Sequence, residues 1–244
     1  MAKKSTTFKG QAKPYGKSGH FNESRRHSLQ AKGVRTGNLS KPVPYFNPAG
    51  KERTKRFIVY QFDDLSKEAK EKAMEEHREF LSSVWDGDYV QEEFMDDMEK
   101  YGIENMEINY SGFYSQGDGA SFTGRIDIPK YLKATGQEKD YAKLLKAIKD
   151  GEDVDDVAVI ERISHRYYHY NTIQVADLYY RGESDEVDKQ ANELTDDMTK
   201  FVREQSKELF KRLRDSYEAE MEDENVAESI RINEYEFTPD GKIY

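Results

Sequence analysis

Apolar positions along the chain fall into two periods, and the change between them marks out the elements. Met106, Ile108 and Tyr110, and later Phe122, Ile126 and Ile128, are spaced mostly by two. That spacing puts each set on one face of a strand. Between them lies a run dense in Gly, Ser and aromatics, Asn109 to Gly124. At its centre Gly117 and Gly119 flank Asp118, so the backbone can take positive φ without a Cβ penalty. The pattern predicts a β-hairpin with a five-residue loop, Ser115, Gln116, Gly117, Asp118 and Gly119, offered as a partner-binding loop.

The other elements follow in order. Phe57–Phe62 reads as a strand, and Ser66 as the N-cap of a helix with Glu68 in its first turn. Ala69, Ala73, His77, Phe80, Leu81 and Val84 form that helix's apolar stripe, which makes His77 a core or boundary histidine rather than a ligand. Trp85–Asp88 is a turn. A second helix carries Val90, Phe94, Met98 and Tyr101 on one side and stops at Gly102; its acids, Glu92 to Glu99, read as a solvated face. Pro129–Leu132 is a helical turn, and Tyr141, Leu144, Leu145 and Ile148 mark a helix ending near Gly151. Val157–Ile163 and Thr172–Tyr180 are strand-like, with Ser164–Asn171 between them. Residues 185–222 form one long helical pattern, expected to cross the sheet and to kink near Gln205–Ser206, where the stripe weakens. A short helix with Val226 and Ile230 follows, then a terminal hairpin around Thr238-Pro-Asp-Gly241. The class is α+β: an antiparallel sheet of β-hairpins, helices packed on one face, and one long C-terminal helix.

Charge divides the chain. Residues 1–56 hold 14 Lys+Arg against two acids, a net +12, while residues 57–244 hold 24 basic and 46 acidic residues, a net −22. The first segment also has four of the six prolines and six of the sixteen glycines, with no helical or strand period. We read residues 1–56 as a basic, extended N-terminal arm and residues 57–244 as a single α+β domain. Within the arm, Arg25, Arg26, His27, Lys32 and Arg35 are the candidates for nucleic-acid contact, with Phe8, Tyr15 and Phe21 interleaved. The absence of cysteine excludes disulfides, Cys-ligated zinc and thiol catalysis. No apolar run is long enough for a membrane span, so no membrane partner is expected.

Catalytic chemistry has one candidate constellation. If the two hairpins share a sheet, Asp118, His165, Arg166 and His169 converge at its edge, and an Asp orienting a His is the core of many acid–base sites. His165 and His169 are four apart, which suits a metal on a helix but separates them by about 13 Å on a strand, so no metal is expected. No phosphate-loop, nucleophile-elbow, zinc-protease or dinucleotide motif occurs, and no cofactor is expected.

Four segments carry a resemblance: Tyr60–Ala73, Tyr110–Phe122, Ile163–His169 and Ile232–Gly241. In this order they resemble a family of tailed-bacteriophage proteins, often called antitoxins of a toxin–antitoxin stability system. That family often has cysteine where this chain has Ser121. The resemblance implies a phage-encoded, non-catalytic protein in the cytoplasm of the infected bacterium, binding or neutralising a host macromolecule, with a host protein as partner. Two other readings stand beside it. One is a nucleic-acid or ribonucleoprotein binder acting through the arm; the other is an enzyme using Asp118, His165, Arg166 and His169.

Overall fold

The structure, a computed structural model, describes residues 58–164 and 166–244. In the N-terminal segment it also gives the backbone of four short strands, β1 (Pro14–Tyr15), β2 (Gly19–His20), β3 (Val43–Phe46) and β4 (Glu52–Lys55). The arm candidates Arg25, Arg26, His27, Lys32 and Arg35 lie outside the described residues, as does His165. The chain divides into two compact units, Met1–Asp86 with Asp215–Tyr244, and Gly87–Arg214.

In the first unit, Phe57 of the expected strand Phe57–Phe62 lies outside the described residues; strand β5 is Tyr60–Gln61, and Phe62–Asp64 turns into a 3-10 helix that drops Phe62 into the core. Helix α1 (Lys67–Val84) starts as its cap predicts, with Ser66 Oγ accepting the Ala69 N–H at 3.3 Å. Its stripe of Ala69, Ala73, His77 and Leu81 is buried. These residues meet Val226, Ala227 and Ile230 of α6 (Asp223–Ile232), together with Tyr235 and Phe237. Strand β10 (Glu236–Phe237) pairs antiparallel with β5, and the expected terminal turn follows it, with Gly241 at φ +86°. A Cβ on Gly241 would lie 2.3 Å from the Ala69 carbonyl, so the chain end sits directly on the first turn of α1. Arg231 and Asp63 make a forked ion pair at 2.9–3.1 Å across the same unit.

The second unit is built on a four-stranded antiparallel sheet in the order β6 (Ile103–Tyr110), β7 (Ala120–Asp127), β8 (Val157–Arg162) and β9 (Ile173–Val175). The predicted hairpin is present, but its loop has nine residues, 111–119, closed by the Ser111 N–H on the Gly119 carbonyl at 3.0 Å. One extra residue enters β6 between Glu104 and Glu107, with Asn105 at φ +53°. This bulge carries the inward face from Ile103 to Met106, Ile108 and Tyr110, a step of three and then two that strict alternation hides. Ile128, expected on the strand, instead begins helix α3 (Ile128–Thr135), because the Asp127 carboxylate caps the Lys130 N–H at 2.8 Å and Pro129 fits the first turn.

Helices α2 (Asp88–Glu99) and α4 (Ala142–Asp150) occupy their predicted places, bounded by left-handed Gly87 and Gly151. Helix α5 (Asp185–Met221) runs 37 residues without interruption at Gln205–Ser206. The stripe weakens there only because a small residue continues it: Ser206 is fully buried between Val202 and Leu209. Helix α5 packs on the sheet through Leu194, Met198, Val202, Leu209 and Leu213, all fully buried. It also closes the edge of β9. Thr199 Oγ1 accepts the Val175 N–H at 3.0 Å, and Arg203 Nε donates to the Ile173 carbonyl at 3.0 Å. The backbone groups an added strand would need are thereby used, and β9 is three residues long rather than the nine of Thr172–Tyr180. Among the described residues no helix is long and apolar enough to cross a membrane.

Two buried polar groups give measurable consequences. His77 is 1 % exposed, lies between Phe80 and Tyr235, and shares a 2.9 Å hydrogen bond with Ser229 Oγ. Burial pushes its pKa from 6.5 down to about 4. The unfolded chain therefore takes up the proton first as pH falls, so stability is full above about 6.5 and declines toward 4. The loss approaches about 3 kcal/mol at the low end. Urea unfolding at pH 7 and pH 4.5 should register it, and His77→Phe should remove most of that difference. Ser121 is buried on β7, and its hydroxyl has no hydrogen-bond partner among the described residues. A buried unsatisfied hydroxyl costs about 1–3 kcal/mol. Ser121→Cys should therefore raise the urea midpoint, by an amount equivalent to about 1 kcal/mol.

Candidate functional site

Both connections at one end of the sheet, the β6–β7 loop (111–119) and the β8–β9 loop (163–172), belong to the second unit, and they meet. In the first, Asp118 Oδ2 accepts the Ser115 N–H at 2.6 Å, while the Asp118 N–H donates to the Ser115 carbonyl at 3.1 Å. Gly117 takes φ +100° between them. Ser115 and Gln116 are exposed at the loop tip, whereas Gly119 is buried at its base. The Asp118 carboxylate thus ties its own loop together.

In the second loop His169 is the organising residue. Its Nδ1 accepts the Asn171 N–H at 3.2 Å, and its carbonyl accepts from the Thr172 N–H at 2.8 Å. Thr172 Oγ1 in return accepts the His169 N–H at 3.3 Å, which closes a reciprocal cap on a single 3-10 turn, Tyr170–Thr172. An accepting Nδ1 leaves the neutral ring's proton on Nε2. Burial, and secondarily the charge of Lys207, lower the His169 pKa below its ordinary value and hold that neutral form.

Glycine joins the loops. A Cβ at Gly119 would stand 2.6 Å from the Tyr168 carbonyl and 3.1 Å from the His169 Cα. A Cβ at Gly117 would stand 3.4 Å from the Tyr167 ring. Three cations then lie over three tyrosine rings: Arg162 over Tyr168 at 4.6 Å, Arg166 over Tyr167 at 5.4 Å, and Lys207 of α5 over Tyr170 at 4.5 Å. Such pairs occur roughly once per 70–80 residues, so three within one loop is a concentration. Arg162 also donates from Nη2 to the Tyr167 carbonyl at 3.2 Å. Tyr167 is 47 % exposed, and Arg166 is exposed beside it.

The structure therefore brings the Asp118 loop and the loop of Arg166 and His169 together. Among the described residues, no hydrogen bond links Asp118 to His169 or Arg166; the Asp carboxylate and the His Nδ1 both hold backbone. No group of three or more His, Asp or Glu side chains is placed to hold a metal ion among those residues. Sequence reasoning left out Arg162, Tyr167, Tyr168, Tyr170 and Lys207. The first four have a readable signal, since residues 162–172 contain two arginines and three tyrosines but no acid, inside a strongly acidic segment. Lys207 has none, because only the fold brings α5 to the loop.

Gly119→Ala tests the crossing of the loops. It should destabilise the chain by about 2 kcal/mol, as overpacking does against backbone atoms that cannot rotate away. It should also broaden or shift the amide resonances of residues 166–169, read by NMR against the wild type.

No curated protein and no solved structure matches this chain. A family model does match over residues 85–223, which is more than half of the chain and spans the sheet, both loops and all of α5. The chain belongs to the family described as domain of unknown function DUF8835.

Proposed function

We propose that this protein is a non-catalytic binding protein that engages a host macromolecule through the joined loops of the sheet. The observation that carries this reading is the interlock at Gly119, with Tyr168 and His169 backbone against it. Two loops fixed to each other before any partner arrives form a surface that loses little freedom on binding. That surface offers Tyr167 and Arg166, side chains of the types that carry most energy in protein interfaces. The groups an acid–base site would need, Asp118 and His169, are engaged in holding the loops. The resemblance to tailed-phage proteins supports an origin in phage, and the antitoxin-like sense of the binding rests on it alone.

The test is affinity capture from bacterial lysate, followed by light scattering of the recovered complex. A complex of fixed stoichiometry is expected, kept by Asp118→Ala and His165→Ala separately and lost in the Arg166→Ala/Tyr167→Ala double variant. Capture that is unchanged in the double variant, with its fold intact by circular dichroism, would sink the reading. Substrate turnover abolished by His165→Ala would replace it with the enzyme reading.

A further inference from the structure

We infer that the tyrosine–cation loop of the second unit binds the phosphodiester backbone and bases of a short single-stranded nucleic acid, independently of the basic arm. This rests on the reading above that the joined loops are the contact surface, and it names the chemistry they take. The residues are Arg162, Arg166, Lys207, Tyr167, Tyr168 and Tyr170.

Three observations carry it. The first is local charge. The segment 57–244 has a net charge of −22, yet residues 162–172 contain no acid; α5 adds Lys207, which is itself paired with Glu204 at 2.6 Å. The one carboxylate of the facing loop, Asp118, is taken up by the Ser115 N–H. The second is the pairing state of the arginines. Arg78, Arg212 and Arg231 are each held by carboxylates at 2.5–3.1 Å. Arg162 and Arg166 have no carboxylate within 4.0 Å among the described residues; the Nε of Arg162 is buried and unpartnered there, so the exposed guanidinium is that of Arg166. A guanidinium has five donors in a fixed fork that matches phosphate oxygens, and at Arg162 one bond is made, to the Tyr167 carbonyl.

The third observation is the alternation of ring and cation. Each of Tyr167, Tyr168 and Tyr170 carries a cation over its ring at 4.5–5.4 Å; Tyr170 also packs on the His169 ring at 4.0 Å, which leaves Tyr167 as the exposed ring. Sequence-tolerant single-strand sites are built this way: cations follow the phosphates, and aromatic faces take the bases. An acidic peptide would use the cations and leave the rings idle. A duplex would bring its second strand against the surrounding acidic surface, whereas a few nucleotides of single strand need only this patch. The extent also fits, since two arginines without a carboxylate partner correspond to about two phosphates.

The experiment uses the full chain and a fluorescein-labelled twelve-nucleotide oligothymidylate, followed by anisotropy between 20 and 200 mM salt. Arg166→Gln/Lys207→Gln, with the arm unchanged, should weaken binding at least tenfold. It should also flatten the log–log salt slope by about 0.7 or more, since each phosphate that a cation neutralises adds about 0.7 to that slope and Lys207 already has Glu204 as a partner. Ultraviolet crosslinks should map to Tyr167, Tyr168 or Tyr170, and Tyr167→Leu, which keeps every cation, should weaken binding by a factor of about five or more. Affinity unchanged in the double variant but abolished by Arg25→Gln/Arg26→Gln would assign the nucleic acid to the arm and overturn the inference. A twelve-residue glutamate peptide that binds as tightly, with the same weakening in the double variant, would also overturn it and make an acidic peptide the ligand. If the oligonucleotide fails to bind while lysate capture still depends on Arg166 and Tyr167, the nucleic-acid inference falls and the binding reading stands.

Discussion

The second unit depends on the burial of one stripe of α5 against the sheet. Leu194, Met198, Val202, Leu209 and Leu213 are wholly removed from solvent there. Burying such side chains is worth roughly 1.5–3 kcal/mol each, an upper estimate because the unfolded chain is already partly compact. The same helix places polar groups where the sheet needs them. Tyr141 donates its hydroxyl to Asp197 at 2.7 Å, Gln190 Oε1 accepts the Leu144 N–H at 2.9 Å, and Thr199 and Arg203 complete β9. Aromatic contacts of Phe201 with Tyr101 and Tyr131, and of Phe210 with Phe113, extend the seam toward the loops. The helix therefore supplies hydrophobic cohesion and edge protection together, and with Lys207 it supplies a charge at the site itself.

Much of this was legible because local signals agreed with the tertiary outcome. Ser66, Gly87, Gly102, Gly136 and Gly151 stand where caps and stops require them, and the stripes of α1, α2 and α5 are the buried ones. Where legibility failed, a long-range interaction had overruled the local pattern. The bulge at Asn105 hid Ile103 from a period-two count. Past Val175 the Asp155 carboxylate took the Tyr179 N–H, and the segment that would have prolonged β9 leaves the regular ladder. A buried serine looked like a break in a stripe that it continues.

The site was half legible for a related reason. A Gly-Asp-Gly turn and a His-rich segment can be recognised as loops from composition. The use each makes of its polar atoms cannot. Asp118 and His169 attract attention as acid and base, yet their hydrogen bonds run to neighbouring backbone, at 2.6 and 3.2 Å. The side chains left exposed are Arg166 and Tyr167, which carry no catalytic motif and invite no motif search.

The crossing of the two loops has a consequence for how such a surface can change over generations. At Gly119 the nearest contact is the Tyr168 carbonyl, a main-chain atom that every residue type possesses, with the Cα and the ring Cδ2 of His169 next to it. The closest contact between the loops is thus indifferent to which side chain stands at 168. One glycine fixes the frame, and the outward letters can be rewritten one at a time without rebuilding it. A scaffold joined in this way keeps its shape while the exposed residues around the crossing drift.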